Sequence, residues 1–416
     1  MNERRGKAVI RFIHAADLHL DRPFDGLSDL PGALHERVKE STFKALDRLI
    51  DKALAQAVDF LIIAGDVFDD SHRSLIAQRR FIRAMNRLAE ASIPAFIAFG
   101  NHDHLDDPWN RLAFPGNVHV FPASPSMIPY IKPSGERVHL YGFSYLSRHV
   151  KEDMTQGYRR QEGADYHIGV LHGALGSGEA SDLYAPFSIA ELTALGFDYW
   201  ALGHIHKRQQ LSPPLPIWYP GDIQGLSIKE TGRKGALLVE LDSGGAGTDF
   251  FQTDAIRWEK RIVKPAAGSG AEEAERLAEA EKEAVRGDKD GVFLRLDYVF
   301  AENGQSIERL RGLVGELTDA LNEDEANRDD FVWLLPGRLT VRPDWDKQKM
   351  LESPHFIGDV FRLIEKDETV RHALSPLLDG RMGRRYLGMP GEAELRRIRN
   401  EAEQLIAEGL LGDKED

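Results

Sequence analysis

The chain of 416 residues contains no cysteine. That excludes disulfides, thiolate metal sites and a cysteine nucleophile, and leaves metal ligation to His, Asp, Asn and Glu. It contains no apolar run near the roughly 20 residues a membrane-spanning helix needs. The opening stretch MNERRGKAVIRFIH alternates charge and apolarity and lacks the apolar segment of a signal peptide. Both absences point to a cytoplasmic protein with no membrane association. Positive charge is also short: 53 Lys+Arg stand against 67 Asp+Glu, a formal net charge of −14. An acidic chain is a poor indiscriminate binder of nucleic acid, so contact with DNA would need local basic patches or bound cations.

What the chain does have is a repeated grammar of short apolar runs that end in polar clusters. Val9 to Ala16 runs into Asp17-Leu18-His19, and Val58 to Ala64 into Gly65-Asp66. Pro94 to Phe99 runs into Gly100-Asn101-His102-Asp103, Tyr166 to Leu171 into His172-Gly173, and Phe197 to Leu202 into Gly203-His204-Ile205-His206. Short β-rich runs bounded by glycine predict buried strands. Helical patterns lie between the first pairs: Phe43, Leu46, Leu49, Ile50, Ala53 and Leu54 share one face, as do Phe81, Ile82, Met85 and Leu88. Strands alternating with helices indicate an α/β core, whose ligands gather outside the carboxyl ends of the strands. Further strands are expected at Ile217–Gly221 and Ala236–Leu241, both in a second sheet. Beyond Asp254, strands are expected at 257–263, 292–299 and 331–341, and helices at 271–285 and 307–321. From about Lys347 the chain reads as helices, ending in one over Glu392–Leu411. The domain boundaries that follow are 1–255, 256–342 and 343–416.

Each polar cluster is weak alone. Together they supply carboxylate, amide and imidazole, a donor set suited to Mn²⁺, Fe²⁺, Zn²⁺ or Mg²⁺. The ordered motifs FIHAADLHL, GDVFD, GNHD, LHG and GHIH resemble those of the calcineurin-like metallophosphoesterase superfamily, and within it the SbcD-type DNA repair nucleases. The stretch YPGDIQGLSIKETGRKGALLVEL is similar to the YhaO-like branch of bacterial exonucleases. The resemblance covers roughly residues 8–250. It implies a four-layer α/β/β/α sandwich with a small α/β capping domain and a helical C-terminal region, a possible partner-docking segment.

It also implies roles for individual residues. Asp17, His19 and His206 bind a first metal, Asp66 bridges two metals, and Asn101, His172 and His204 complete the second site. His102 stands above the ions, oriented by Asp103. A carboxylate has two oxygens and can bridge, whereas a neutral imidazole cannot. His14 is read as a strand histidine that bonds backbone, and Asp69 as a residue that orders its loop.

The implied activity is a dinuclear-metal DNA exonuclease, 3′ to 5′ with some single-strand endonuclease activity, Mn²⁺ being the first choice of ion. The implied partners are DNA, an SbcC-like (SMC-like) coiled-coil ATPase and a second copy of the chain. Two other readings compete: a phosphoesterase for a small phosphodiester or a phosphoprotein, and a non-catalytic DNA-end scaffold. For DNA contacts the sequence offers the stripe Arg79, Arg83 and Arg87 with Arg80 beside it, and the mixed clusters Tyr158-Arg159-Arg160 and Arg384-Arg385-Tyr386. For the stripe a solvated helix face is the plainer reading, and neither mixed cluster is specific.

Overall fold

The computed structural model describes residues 9–27, 30–69, 74–106, 112–176, 184–266, 268–287, 290–301, 305–342, 347–378 and 390–411. The Arg384-Arg385-Tyr386 cluster lies outside the described residues. The chain divides into two compact units. The first comprises residues 1–260 with 285–295 and 322–333; the second comprises 261–284, 296–321 and 334–416. The capping segment and the helical tail, expected as separate domains, fall largely in the second unit. Three short pieces of the capping segment, 256–260, 285–295 and 322–333, fall in the first, where Phe293 packs its ring near Phe24 and Trp258, and Arg48 pairs with Asp290 at 2.7 Å.

In the first unit, β1 (Ile10–Ala15), β2 (Phe60–Ala64), β3 (Ala95–Ala98) and β4 (Val118–Val120) run parallel, side by side in that order. Two further strands, β11 (Gly235–Asp242) and β12 (Gly245–Gln252), extend this sheet antiparallel beyond β1. A second sheet has the order β5-β6-β7-β8-β10-β9, formed by Ser126–Ile131, Arg137–Gly142, Tyr166–His172, Tyr199–Gly203, Leu215–Tyr219 and Gln209–Ser212. The five motif strands therefore divide three and two between the sheets. The run at 236–241, expected in the second sheet, instead pairs with β1, Phe12 opposite Val239. Its apolar texture is the same in either place; only the pairing distinguishes them.

Alternation along the strands makes the layers. Phe12, Phe60, Ile62 and Phe96 point inward and meet Leu140, Ile168, Val170 and Tyr199 from the second sheet. The opposite faces of β1, β2 and β3 pack on α1 (Gly32–Ala55) and α2 (Leu75–Glu90) through Leu46, Leu49, Phe81 and Met85. The outer face of the second sheet packs on α3 (Ile189–Ala194), where Leu192 meets Trp200. The result is the expected α/β/β/α sandwich.

A third sheet is built from β13 (Ile256–Val263), β14 (Gly291–Ala301), β15 (Val332–Leu335) and β16 (Leu339–Arg342). The run at 331–341, expected as one strand, breaks at Pro336-Gly337. A side chain at 337 would meet the Leu296 carbonyl oxygen at 1.5 Å, so only glycine passes there. Two helices, α4 (Ala271–Val285) and α5 (Ile307–Asn322), follow the sequence expectation closely. In the second unit α6 (Lys347–Glu352), α7 (Phe356–Ile364), α8 (Asp367–Leu378) and α9 (Glu392–Leu411) form the helical tail. Helix α9 packs on α7 and α8 with Leu395 buried, while Leu405 of the same helix is exposed. Among the described residues no helix is long and apolar enough to cross a membrane.

His14 illustrates how the two sheets are tied. It lies fully buried on β1, its Nε2–H donating to the Leu202 carbonyl at 3.1 Å while its Nδ1 accepts from the Tyr199 hydroxyl at 3.0 Å. Burial pushes its pKa down to about 3, the bond to Leu202 opposing. Because the folded-state value lies below the unfolded 6.5, the neutral ring contributes stability that is intact above pH 6.5 and is lost progressively as pH falls toward 3. Each pH unit in that window is worth about 1.4 kcal/mol. Between pH 6.5 and 4.5, urea denaturation of the wild type should therefore lose about 2–3 kcal/mol more than that of His14→Gln, which offers a donor and an acceptor but does not titrate.

Candidate metal centre

The carboxyl ends of β1, β2 and β3 and of β7 and β8 converge because glycines let the two sheets close. A Cβ on Gly65 would sit 2.0 Å from His172 Nδ1, and one on Gly203 would sit 1.7 Å from the Ala64 carbonyl oxygen. The sharp exits from the strands place non-glycine residues in the left-handed region: Asp17 (φ 50°), His19 (φ 41°), Asp66 (φ 51°) and His204 (φ 97°). Such backbone costs on the order of 1–3 kcal/mol per residue and persists only where neighbours hold it. Here Asp17 N–H donates to the Gly65 carbonyl (3.1 Å) and His19 N–H to the Asp66 carbonyl (3.0 Å). The His204 N–H donates to both Asp17 carboxylate oxygens at 3.1 Å.

The side chains then crowd into one place. Asp17, His19, Asp66, Asn101 and His172 are all buried, and His204 and His206 are half-buried at the rim. The nitrogens His19 Nε2 and His206 Nε2 face each other at 3.2 Å. The Asp66 carboxylate lies 3.4 Å from His172 Nε2 and 3.8 Å from His19 Nε2, between the two groups of donors. His172 Nε2 also lies 3.0 Å from Asn101 Oδ1. Asp17, His19 and His206 could hold one ion, as could Asp17, Asp66 and His172. The His204 ring stands 5.3 Å from that of His172.

Tautomers fit ligation. His172 Nδ1–H donates to the Ala64 carbonyl (2.9 Å) and His206 Nδ1–H donates to Glu230 (2.7 Å), so both Nε2 atoms face the centre. Burial works against their charge, yet Asp66 beside His172 and Glu230 beside His206 push both imidazoles up to about 9, so a cation held there displaces a proton from each ring. Burial works against the Asp66 charge, yet the His172, His19 and His102 imidazoles override it and hold the carboxyl well below its ordinary range. Burial and repulsion among the rings lower His204 to about 3, keeping it neutral as a ligand must be. Among the described residues, His19 Nδ1 is a buried nitrogen without a hydrogen-bond partner. Two carboxylates and four imidazoles gathered with little solvent are a poor arrangement by themselves and a good one around divalent cations.

One expected role changes. Asp103 is fully buried, but its oxygens accept from the backbone N–H groups of Gly100 (2.7 Å), Val67 (2.7 Å) and Phe68 (3.3 Å). It ties the second and third strand-end loops together and does not orient His102. The carboxylate facing His102 is Asp69, whose Oδ1 lies 3.5 Å from His102 Nδ1 and 3.7 Å from His19 Nδ1. A short carboxylate placed one residue past an imidazole is consumed by the turn it sits in. His102 itself is fixed by its backbone N–H, which donates to Asp66 Oδ1 at 2.9 Å, and its ring lies 5.1 Å from that of His19.

Among the basic clusters, Arg79 and Arg83 are exposed, but Arg87 is engaged by Asp51 (2.5 Å) and Asp47 (3.8 Å). Arg80 is held by Glu40 across α1 and lies over the Phe43 ring. Tyr158 offers no stacking face, since it is buried with its hydroxyl donating to the Val170 carbonyl.

Sequence reading missed Glu230. Beyond accepting from His206, it accepts the Leu226 N–H at 2.6 Å, while Lys234 donates to the His206 carbonyl (3.0 Å) and pairs with the buried Asp222 (2.7 Å). A carboxylate behind a ligating histidine fixes its ring and raises its basicity. In Glu230→Ala, titration calorimetry with Mn²⁺ should show affinity about 10–100-fold weaker at one of the two sites, with the other little changed.

A buried centre of this composition, at the joined carboxyl ends of two sheets, is that of a metal-dependent phosphoesterase. The calcineurin-like phosphoesterase profile matches residues 10–208, and the chain belongs to that family. It is 37% identical over 407 residues to the uncharacterized metallophosphoesterase YhaO of Bacillus subtilis, covering 96% of this chain and 98% of that protein. It is 25% identical over 317 residues to the DNA double-strand break repair protein Mre11 of Methanopyrus kandleri, covering 65% of this chain and 68% of the other. It is 23% identical over 404 residues to the SbcD component of the nuclease SbcCD of Bacillus subtilis, covering 86% and 93%.

Proposed function

We propose that the chain hydrolyses phosphodiester bonds of DNA with two bound divalent ions, Mn²⁺ first among them, as a 3′ to 5′ exonuclease with some single-strand endonuclease activity. The observation that carries the reading is the convergence of Asp17, His19, Asp66, Asn101, His172, His204 and His206 on one centre, with Asp66 between the two donor groups. Similarity to Mre11 and to the SbcD component of SbcCD supports DNA as the substrate and a coiled-coil ATPase of the SMC type as partner. Action as a homodimer in the cytoplasm belongs to the same reading.

Bound there, the ions would lower the pKa of a coordinated water and neutralise charge on the phosphoryl oxygens. Asp66 would be the carboxylate shared by the two ions, its Oδ2 toward His172 and His19 and its Oδ1 accepting the His102 N–H. The Nε2 atoms of His172 and His206 are aimed inward by their Nδ1–H bonds and would lose their protons to the ions they hold. His102, with 22% of its side chain exposed at the mouth, is the group that donates a proton toward the leaving oxygen, and Asp69 beside its Nδ1 steadies the ring.

The test is a gel assay on labelled duplex and single-stranded DNA with Mn²⁺, run beside a nitrophenyl phosphodiester. Release of nucleotides from 3′ ends is the expected result. Cleavage of the small ester alone would favour the small-substrate reading, and DNA binding without cleavage the scaffold.

A further inference from the structure

Immediately after the ligand His206 the chain turns basic, and a cleft of about 180 Å³ opens there. It is lined by His206, Lys207, Arg208, Pro220, Gly221, Thr231, Gly232, Arg233 and Lys234. Four of these nine residues are Lys or Arg, in a chain whose net charge is −14. The cations arrive from two loops and divide into two kinds. Those of the second loop are spent inside the protein: Lys234 on Asp222, and Arg233 on Asp254 (3.5 Å) and Asp290 (3.3 Å). Those of the first loop are not. Among the described residues neither Lys207 nor Arg208 forms an ion pair; both are exposed, and the Arg208 guanidinium lies 3.7 Å from the centre of the Phe250 ring. The acids nearest the cleft are turned away, Glu230 to His206 and Leu226 N–H, and Asp222 to Lys234.

The cleft is also held in shape. A Cβ on Gly221 would come within 2.9 Å of the His206 carbonyl oxygen and 3.0 Å of the Arg208 nitrogen, so the two loops lie backbone against backbone. Lys234 pins the His206 carbonyl from behind. Two uncompensated cations thus stand on a braced loop, one and two residues past His206, which lines both this cleft and the metal centre.

We propose that this cleft receives a phosphate of the substrate strand next to the scissile one, with Lys207 and Arg208 as its contacts. The proposal rests on the DNA reading given above. It gives an acidic chain a local means of drawing a polyanion to the centre. Phosphate contact there adds affinity and register and carries no base preference.

The probe is a short fluorescein-labelled single strand with phosphorothioate linkages, followed by anisotropy in Mn²⁺ across a salt series. In the K207A/R208A variant, affinity is expected to fall about tenfold or more. The slope of log K against log salt should flatten by about 1.4, two contacts at about 0.7 each. The K207R/R208K variant keeps both charges and should bind as the wild type does, which separates lost charge from lost folding. Unchanged affinity and slope in K207A/R208A, with a wild type that binds and cleaves the unmodified strand, would overturn the subsite and leave the DNA reading standing. A wild type with no affinity for the strand would overturn both.

Discussion

Asp66→Ala is expected to abolish binding of both ions and to lower phosphodiester hydrolysis by about four orders of magnitude or more. Its carboxylate is the group that lies within reach of donors on both sides, His172 at 3.4 Å and His19 at 3.8 Å. A metal centre of this kind is worth several kcal/mol of transition-state stabilisation, and each 1.36 kcal/mol is tenfold in rate. The substitution also removes the acceptor of the His102 N–H, and a lost acceptor at a buried donor costs about 1–3 kcal/mol. Asp66→Asn separates the two effects: an amide oxygen can still accept that bond but carries no charge to share. Metal content by mass spectrometry after dialysis, beside thermal unfolding, checks both. Two ions retained by Asp66→Asn would contradict the bridging role.

His102→Ala is expected to lower kcat by about 10²–10⁴, the range for a positioned proton donor, while leaving metal content at the wild-type level. The expectation follows from where the ring stands. It is exposed enough to meet substrate, and it is anchored through its backbone to Asp66. Rates with leaving groups of graded acidity sharpen the test, because a lost proton donor is felt least when the leaving group is already a good one. Asp69→Asn should share part of the defect, since Asp69 is the carboxylate beside the ring. A His102→Ala variant with full turnover would remove the residue from the reaction.

Much of this centre was legible in the sequence because parallel strands place their carboxyl ends side by side. Once Val9 to Ala16, Val58 to Ala64 and Pro94 to Phe99 read as strands, Asp17, Asp66 and Asn101 had to emerge at one edge. What was not legible is pairing. The apolar run at 236–241 reads alike in either sheet, and its place beside β1 is decided by hydrogen bonds to residues more than 200 positions away. Nor does spacing reveal which of two nearby carboxylates serves an imidazole. Asp103 adjoins His102 but is taken by three backbone N–H groups, and Asp69, 33 positions earlier in the chain, faces the ring. Glu230 follows His206 by 24 residues, inside the stretch YPGDIQGLSIKETGRKGALLVEL, where nothing in its spacing ties it to an imidazole. Lys207 and Arg208 belong to no helical basic stripe, because their cleft is made of loops.

The most direct measurement is anomalous scattering from a crystal equilibrated with Mn²⁺. Two peaks are expected, about 3.5–4 Å apart. Both should touch Asp66, one bounded by Asp17, His19 and His206 and the other by Asn101, His172 and His204. A single peak, or a pair that Asp66 does not bridge, would contradict the account.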